Sequence, residues 1–292
     1  MGSVHLLNAS GCLDALVAPD VAHTLDAFVT KTITPRPREG NPPPRIAETA
    51  HGMLNSIGLQ GPGIDSFLED HLPLLAELGV PLWVSVGGFS AADFGAVCER
   101  LDGCEEVTTI ELNLSCPNVE EAPESSAEIV AAARALTTKP LYAKLSPAAT
   151  DIAEGARAVA AAGADGLSLV NTIRGLALDA RTLRPQLALG SGGYSGPALK
   201  PIALACVYAC ARAVDLPIVG MGGVTSGIDA LELIAAGASG VALGTILFSD
   251  PGAPARIRAE LEAEAVARGF AQPRDARGVA IETGHLQAFL TA

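Results

Sequence analysis

Residues 217–245, PIVGMGGVTSGIDALELIAAGASGVALGT, decide the fold. Two short apolar runs, 217–220 and 240–243, flank a helical pattern at 226–236, and each run ends in a glycine-bearing turn, GMGG at 220–223 and LGT at 243–245. Strand, helix and strand in that order call for parallel pairing through a crossover. Glycines let a backbone approach a phosphate closely, and a helix end favours the anion. In an open doubly wound sheet the phosphate glycines follow the first strand as GxGxxG. Here that fingerprint is missing and the glycines come late, as in a βα barrel whose loops after strands seven and eight take phosphate. Glycine-rich turns also arise for steric reasons alone, so it is the ordered pair that carries weight.

Further apolar runs fall at 28–30, 82–86, 109–114, 141–145 and 166–170, with an N-terminal one near 6–8. Helical patterns fill 66–78, 91–101, 125–136, 150–162 and 197–213 between them. The alternation predicts an α/β fold, a TIM (β/α)8 barrel, as a single domain over residues 1–292. An open doubly wound sheet is the alternative. The stretch TPRPREGNPPPR at 34–45 holds five prolines and no periodicity, and reads as an extended loop. Two of its arginines either anchor an acidic partner surface or form a solvated face.

Of 292 residues, 49% are apolar and 17% charged, enough for one large core. A net charge of −13, from 19 basic and 32 acidic residues, repels polyanions and argues against nucleic acid as a partner. No apolar run has membrane-spanning length and no signal-peptide pattern opens the chain, so a cytoplasmic protein without membrane contact is expected. The six cysteines form no CxxC pair and the five histidines no HExxH, so no metal is expected. Cys206 and Cys210 share a helical face and read equally well as apolar packing.

In a parallel barrel the strand C-termini converge on one rim. Lys31, Asn113, Cys116, Lys144, Asn171 and Thr172 follow or end apolar runs, and Asn55 sits in MLNSIGLQGPG at 53–63. Within ELNLSCPNV at 111–119, Cys116 is a candidate to take a proton or attack a carbon, with Asn113 and Asn118 placed to hold a planar polar substrate. A strand ending in a small buried cysteine before a proline turn is the other reading. Lys144 either stabilises electron density on a redox-active heterocycle or pairs with a nearby carboxylate. SGGYSG at 191–196 is read as a polar loop covering the phosphate or its ring, or as a surface turn.

Taken together, TKTITPRPREGNPPPRI (30–46), MLNSIGLQ (53–60), ELNLSCPNV, NTIRG (171–175), GGYSGP (192–197), GMGG and LGT resemble the FMN-dependent dihydroorotate dehydrogenases in order and spacing, over nearly the whole chain. Their texture is similar to class 1B catalytic subunits rather than membrane-associated class 2 enzymes. The resemblance implies that Cys116 is the base that takes the C5 proton of dihydroorotate while a hydride leaves C6 for FMN, giving orotate. It implies that Asn55, Asn113, Asn118 and Asn171 bind the pyrimidine and its carboxylate, with Thr172 beside them and the backbone near Gly58 and Leu59 assisting. Lys31 would lie near both substrate and flavin. Ala9, Ser10, Lys144, Gly196, Gly222, Gly223, Gly244 and Thr245 would contact FMN, the last four around its phosphate.

The same resemblance implies a homodimer and a second subunit carrying FAD and a [2Fe–2S] cluster, which passes electrons to NAD+ in a heterotetramer. A fumarate-linked class 1A-like enzyme, a related FMN enzyme acting on another dihydropyrimidine, and a flavin-binding assembly subunit without turnover are the alternatives. Three departures from the family pattern stand out: the acidic EEAPESSAE at 120–128 after the cysteine motif, QGPG at 60–63 where QNPG is commoner, and SGCLDA at 10–15 where threonine, phenylalanine and glycine usually follow ASG. Carboxylates facing the site would oppose thiolate formation.

Overall fold

The computed structural model describes residues 4–114 and 125–281. Eight strands are each parallel to their neighbours: β1 (His5–Asn8), β2 (Phe28–Val29), β5 (Leu82–Val86), β6 (Val107–Asn113), β7 (Leu141–Leu145), β8 (Gly166–Leu169), β11 (Ile218–Met221) and β12 (Gly240–Leu243). Their order is β1-β12-β11-β8-β7-β6-β5-β2, and a parallel bridge between Leu7 and Ala27 joins the two ends into a barrel. All residues of β8, β11 and β12 are buried, as expected where helices cover one face and the barrel interior the other.

The helices are α1 (Pro19–Ala22), α2 (Gly63–Ser66), α3 (Leu72–Ala76), α4 (Ala91–Asp102), α5 (Ser126–Arg134), α6 (Ile152–Ala161), α7 (Lys200–Ala211), α8 (Gly227–Ala235), α9 (Ile246–Ser249) and α10 (Ala253–Ala267). Side chains start α4, α5, α6 and α8: Ser90 accepts from Asp93 N, Asp151 accepts from Ala153 N and Glu154 N, and Ser125/Glu128 and Ser226/Asp229 form capping boxes on α5 and α8. The buried face of α4, Phe94, Val97, Cys98 and Leu101, has helical spacing and packs into the layer between helices and strands. A separate apolar set, including Leu7, Val29, Val219 and Met221, lines part of the barrel interior with Trp83 and Tyr142, whose ring centroids are 4.6 Å apart.

Three sequence expectations change. The helix expected at 66–78 runs over 63–76 and carries a π-helical turn at Phe67–His71, where Pro73 has no N–H for the carbonyl four residues earlier. SGGYSG is neither loop nor surface turn: β10 (Ser191–Ser195) lies in a second, antiparallel sheet of order β3-β4-β10-β9, with β3 (Ile46–Thr49), β4 (Gly52–Asn55) and β9 (Ile173–Leu176). Its glycines permit close packing, since a Cβ on Gly193 would lie 2.1 Å from Thr172 Oγ1 and one on Gly192 2.5 Å from Asn55 O.

In the proline-rich loop, Arg38 and Arg45 turn back on their own surroundings. Arg38 donates to Gly58 O and sits 4.5 Å from the Phe89 ring centroid, while Arg45 donates to Gln60 Oε1 at 2.6 Å. Arg36 remains exposed. Cys206 and Cys210 are free thiols buried on α7. Among the described residues no cluster of metal-ligating side chains occurs, and no helix is long and apolar enough to cross a membrane.

Candidate active site

A cavity of about 390 Å³ opens at the C-terminal rim of the barrel strands, between them and the antiparallel sheet. Of the residues singled out from sequence, Ala9, Ser10, Lys31, Asn113 and Lys144 line it from the barrel's first half and middle. Asn171, Thr172, Gly222, Gly223, Gly244 and Thr245 line it from the later strand ends. Asn55, Gly58, Leu59 and Gly196 line it from the second sheet and its loops. Cys116 and Asn118 lie outside the described residues.

Three asparagines converge on one side, each held by a different element. Asn171 Nδ2 donates to Asn113 Oδ1 at 3.0 Å, and Asn113 Nδ2 donates to Thr32 Oγ1 at 3.2 Å. Thr32 Oγ1 lies 3.1 Å from Ser85 Oγ deeper in the barrel. Asn55, at the end of β4, donates to Gly193 O on β10 at 3.3 Å. Asn171 also accepts from Thr172 N at 2.8 Å, so its amide is oriented from both ends. An array of neutral donors and acceptors of this kind can hold a planar ring bearing carbonyl, N–H and carboxylate groups. Gly58 and Leu59 follow with φ of +77° and +56°; a left-handed conformation is uncommon for a leucine, and it places this backbone at the cavity wall.

The opposite side has the features of an anion site. Gly222 and Gly223 have φ of +122° and +76°, and a Cβ on Gly223 would lie 2.7 Å from Lys200 N. Among the described residues, the backbone N–H groups of Gly222, Gly223, Gly244 and Thr245 make no hydrogen bond to a backbone carbonyl. Thr245 Oγ1 donates to Ser195 Oγ at 2.9 Å, bringing two hydroxyls to the same wall. Asp229 holds the following helix start together: burial pushes its carboxyl up, but hydrogen bonds from Lys200, Thr225 and Ser226 outweigh burial and keep it at about 2. Free amides on glycine loops after the last two barrel strands fit a phosphate.

Between the two sides, Lys144 presents its ammonium at the cavity floor. It is 5% exposed and ion-pairs with Glu111 Oε1 at 3.4 Å, so one of the two readings from sequence, pairing with a carboxylate, is present in the structure. The stem of Lys31 crosses Gly11, where a Cβ would lie 2.9 Å from Lys31 Cδ; the glycine's φ of +77° and lack of a side chain make that crossing possible.

Several lining groups escaped the sequence reading. Thr32, Ser195 and Met53 sit inside motifs that were recognised, one or two residues from the residue singled out. Cys12, the departure after ASG, also lines the cavity; burial raises its thiol pKa, against an opposing pull from Lys144 and Lys31. The glycine of QGPG does not line it, and a Cβ on Gly61 would meet only ordinary van der Waals contacts. Of the acidic stretch after the cysteine motif, Glu128 belongs to the α5 cap, where hydrogen bonds from the backbone and side chain of Ser125 lower its pKa.

The family model for dihydroorotate dehydrogenase matches residues 4–264. The chain is 46% identical over 261 residues to a Geobacter sulfurreducens protein named dihydroorotate dehydrogenase B (NAD(+)), catalytic subunit, covering 87% of this chain and 86% of that one. It is 47% identical over 245 residues to the protein of the same name from Citrifermentans bemidjiense, covering 82% and 80%. Among solved structures, DHODH from Eimeria tenella in complex with ferulenol superposes with a TM-score of 0.81 at 25% identity, covering 95% of this chain and 85% of that one. The barrel, its rim cavity and these matches over most of the sequence establish that the chain belongs to the dihydroorotate dehydrogenase family.

Proposed function

We propose that this chain is the FMN-bearing catalytic subunit of an NAD+-linked dihydroorotate dehydrogenase. The protein oxidises dihydroorotate to orotate, the reaction of its family. The observation that carries the reading is the cavity in which the asparagine array, the Lys144 ammonium and the unpaired glycine-loop amides face one another. Such a cavity fits FMN. Gly222, Gly223, Gly244 and Thr245 would hold the phosphate, Ala9, Ser10 and Gly196 would border the ring system, and Lys144 would lie against it with Lys31 nearby. FMN bound there supplies the two-electron acceptor for the hydride leaving C6 of the substrate.

The chain's own residues do the rest. Asn55, Asn113 and Asn171 orient the ring and carboxylate by neutral hydrogen bonds, and Asn118 completes that set in this proposal. The backbone at Gly58 and Leu59 and the Thr172 hydroxyl close the pocket around the substrate. Cys116, which follows β6 in sequence, takes the C5 proton as a thiolate, so that the C5–C6 double bond forms as the hydride departs.

The relatives' designation as catalytic subunits implies a partner subunit. We assign to that partner FAD and a [2Fe–2S] cluster, and to this chain a homodimeric core within a heterotetramer. Exposed Ile46, Leu176, Leu178, Leu183 and Leu189, on or beside the antiparallel sheet, support the homodimer. The reading places a single cofactor-binding domain in the cytoplasm.

The test is anaerobic titration of FMN-loaded protein with dihydroorotate and, in parallel, dihydrouracil. Bleaching of the flavin band with stoichiometric orotate, by dihydroorotate alone, is expected. Equal reduction by dihydrouracil would point to another dihydropyrimidine, and bound FMN without bleaching would point to an assembly subunit.

A further inference from the structure

Glu111 has no place in the chemistry described so far, yet it lies inside the barrel with 1% exposure. It sits on β6 two residues below Asn113, about 6.6 Å deeper along the strand. Asn113 is in register with Lys144 on β7, and Ser85 on β5 is in register with Glu111. The interior around it is therefore polar: the carboxylate, the ammonium, and the hydroxyl chain that runs from Ser85 through Thr32 to Asn113. The next strand adds Ser168, in register with Lys144, whose buried Oγ has no hydrogen-bond partner among the described residues.

A buried ion pair is a poor way to stabilise a barrel, because well-packed apolar residues of similar volume generally do as well or better. A carboxylate at this depth needs another reason. Lys144 supplies one, since it lines the cavity on its upper side and contacts Glu111 on its lower side.

We propose that Glu111 is a positioning residue: it ties the Lys144 ammonium to the cavity floor and offsets its charge, so that the carboxylate sets how strongly the site favours the reduced over the oxidised flavin. The inference rests on the FMN reading above. The ammonium alone would favour the electron-rich reduced form, and the carboxylate behind it tempers that preference. The pair keeps the ammonium at one fixed height, which a solvated lysine would not do.

Spectroelectrochemical titration of the full FMN-loaded chain tests this with wild type, Glu111→Gln, Lys144→Met and the double variant. Glu111→Gln keeps the shape and removes the charge. It is expected to raise the midpoint potential by the equivalent of a roughly tenfold gain in relative affinity for reduced flavin, about 30 mV for a two-electron couple. The same substitution in the Lys144→Met background should move the potential less than half as far.

A wild-type potential in Glu111→Gln, accompanied only by a lower melting temperature, would reduce Glu111 to a structural residue and overturn the inference. An equal shift in both backgrounds would overturn it too. Should Glu111→Gln fail to fold, Glu111→Asp keeps the charge but shortens the reach, and it must also displace the potential; an unchanged value contradicts the inference. Wild type that takes up no FMN would refute the functional reading itself, which separates the two failures.

Discussion

Asn171 and Asn113 share a hydrogen bond of 3.0 Å that spans two barrel strands which are not neighbours. Asn113 ends β6, Asn171 follows β8, and β7 with Lys144 runs between them. The bond therefore bridges the strand that carries the cavity-floor ammonium. The position of each amide depends on the other, and through Thr32 and Ser85 both are referred to the barrel interior.

That coupling gives the first prediction. Asn113→Ala removes a proposed ring contact and also releases Asn171, so kcat/KM for dihydroorotate should fall by roughly 10- to 100-fold, with melting temperature nearly unchanged. Asn171→Ala added to it should cost less than the product of the two single losses. Steady-state kinetics on the four proteins of the cycle measure this, and strictly multiplicative losses would contradict the shared orientation.

A second prediction concerns the anion cradle. Gly223 has φ of +76° and a side chain there would lie against Lys200 N, so Gly223→Ala must move the loop proposed to offer its amides to the phosphate. Left-handed backbone alone costs a non-glycine residue about 1–2 kcal/mol. The variant should release FMN at least tenfold more readily, read as flavin fluorescence appearing on dilution. Gly79→Ala is the control: its φ is also positive, at +65°, but a Cβ there meets nothing within 4 Å. It should carry the backbone strain without losing flavin.

The Asp229 carboxyl leads to a pH prediction. Its folded value, held at about 2 by Lys200, Thr225 and Ser226, lies below the ordinary carboxylate value of 3.8, so the ionised form stabilises the fold. That stabilisation is fully present above the unfolded value and is lost as pH falls through the folded one. Asp229→Asn should lower the melting temperature at pH 7 by about 2–6 °C, the scale of a lost helix cap. The difference between the two proteins should shrink as pH is lowered from about 4 toward about 2, as differential scanning calorimetry would show. A gap that widens on acidification would mean the sign is wrong.

The barrel was legible because parallel strands covered on both faces read as continuous apolar runs, such as LYAKL and GVAL, with helix patterns between them. The antiparallel sheet was hidden. Its strands alternate or are glycine-rich, as in β9 with Arg174 and Leu176 outward and in β10 with Gly192 and Gly193, and glycines read as turns until a partner strand is known. Rim residues were legible because each ends a strand. Glu111 was quoted within a motif, but its role was not, because which face of β6 points into the barrel and what pairs with it there are fixed by register with β5 and β7. The π-helical turn inside the helix at 63–76 shows a local effect, a proline, altering the hydrogen bonding of a segment whose helical pattern was legible.

In the proposed reaction dihydroorotate delivers its electrons at this cavity with Cys116 as base. The decisive measurement is anaerobic stopped-flow absorbance of the FMN-loaded chain mixed with dihydroorotate, beside Cys116→Ser. Rapid flavin reduction is expected in wild type and reduction slowed at least 100-fold in the variant at neutral pH, recovering toward high pH as the weaker acid is forced to ionise. Reduction at the same rate in both proteins would contradict the assignment of the base, and no reduction in wild type would contradict the reaction.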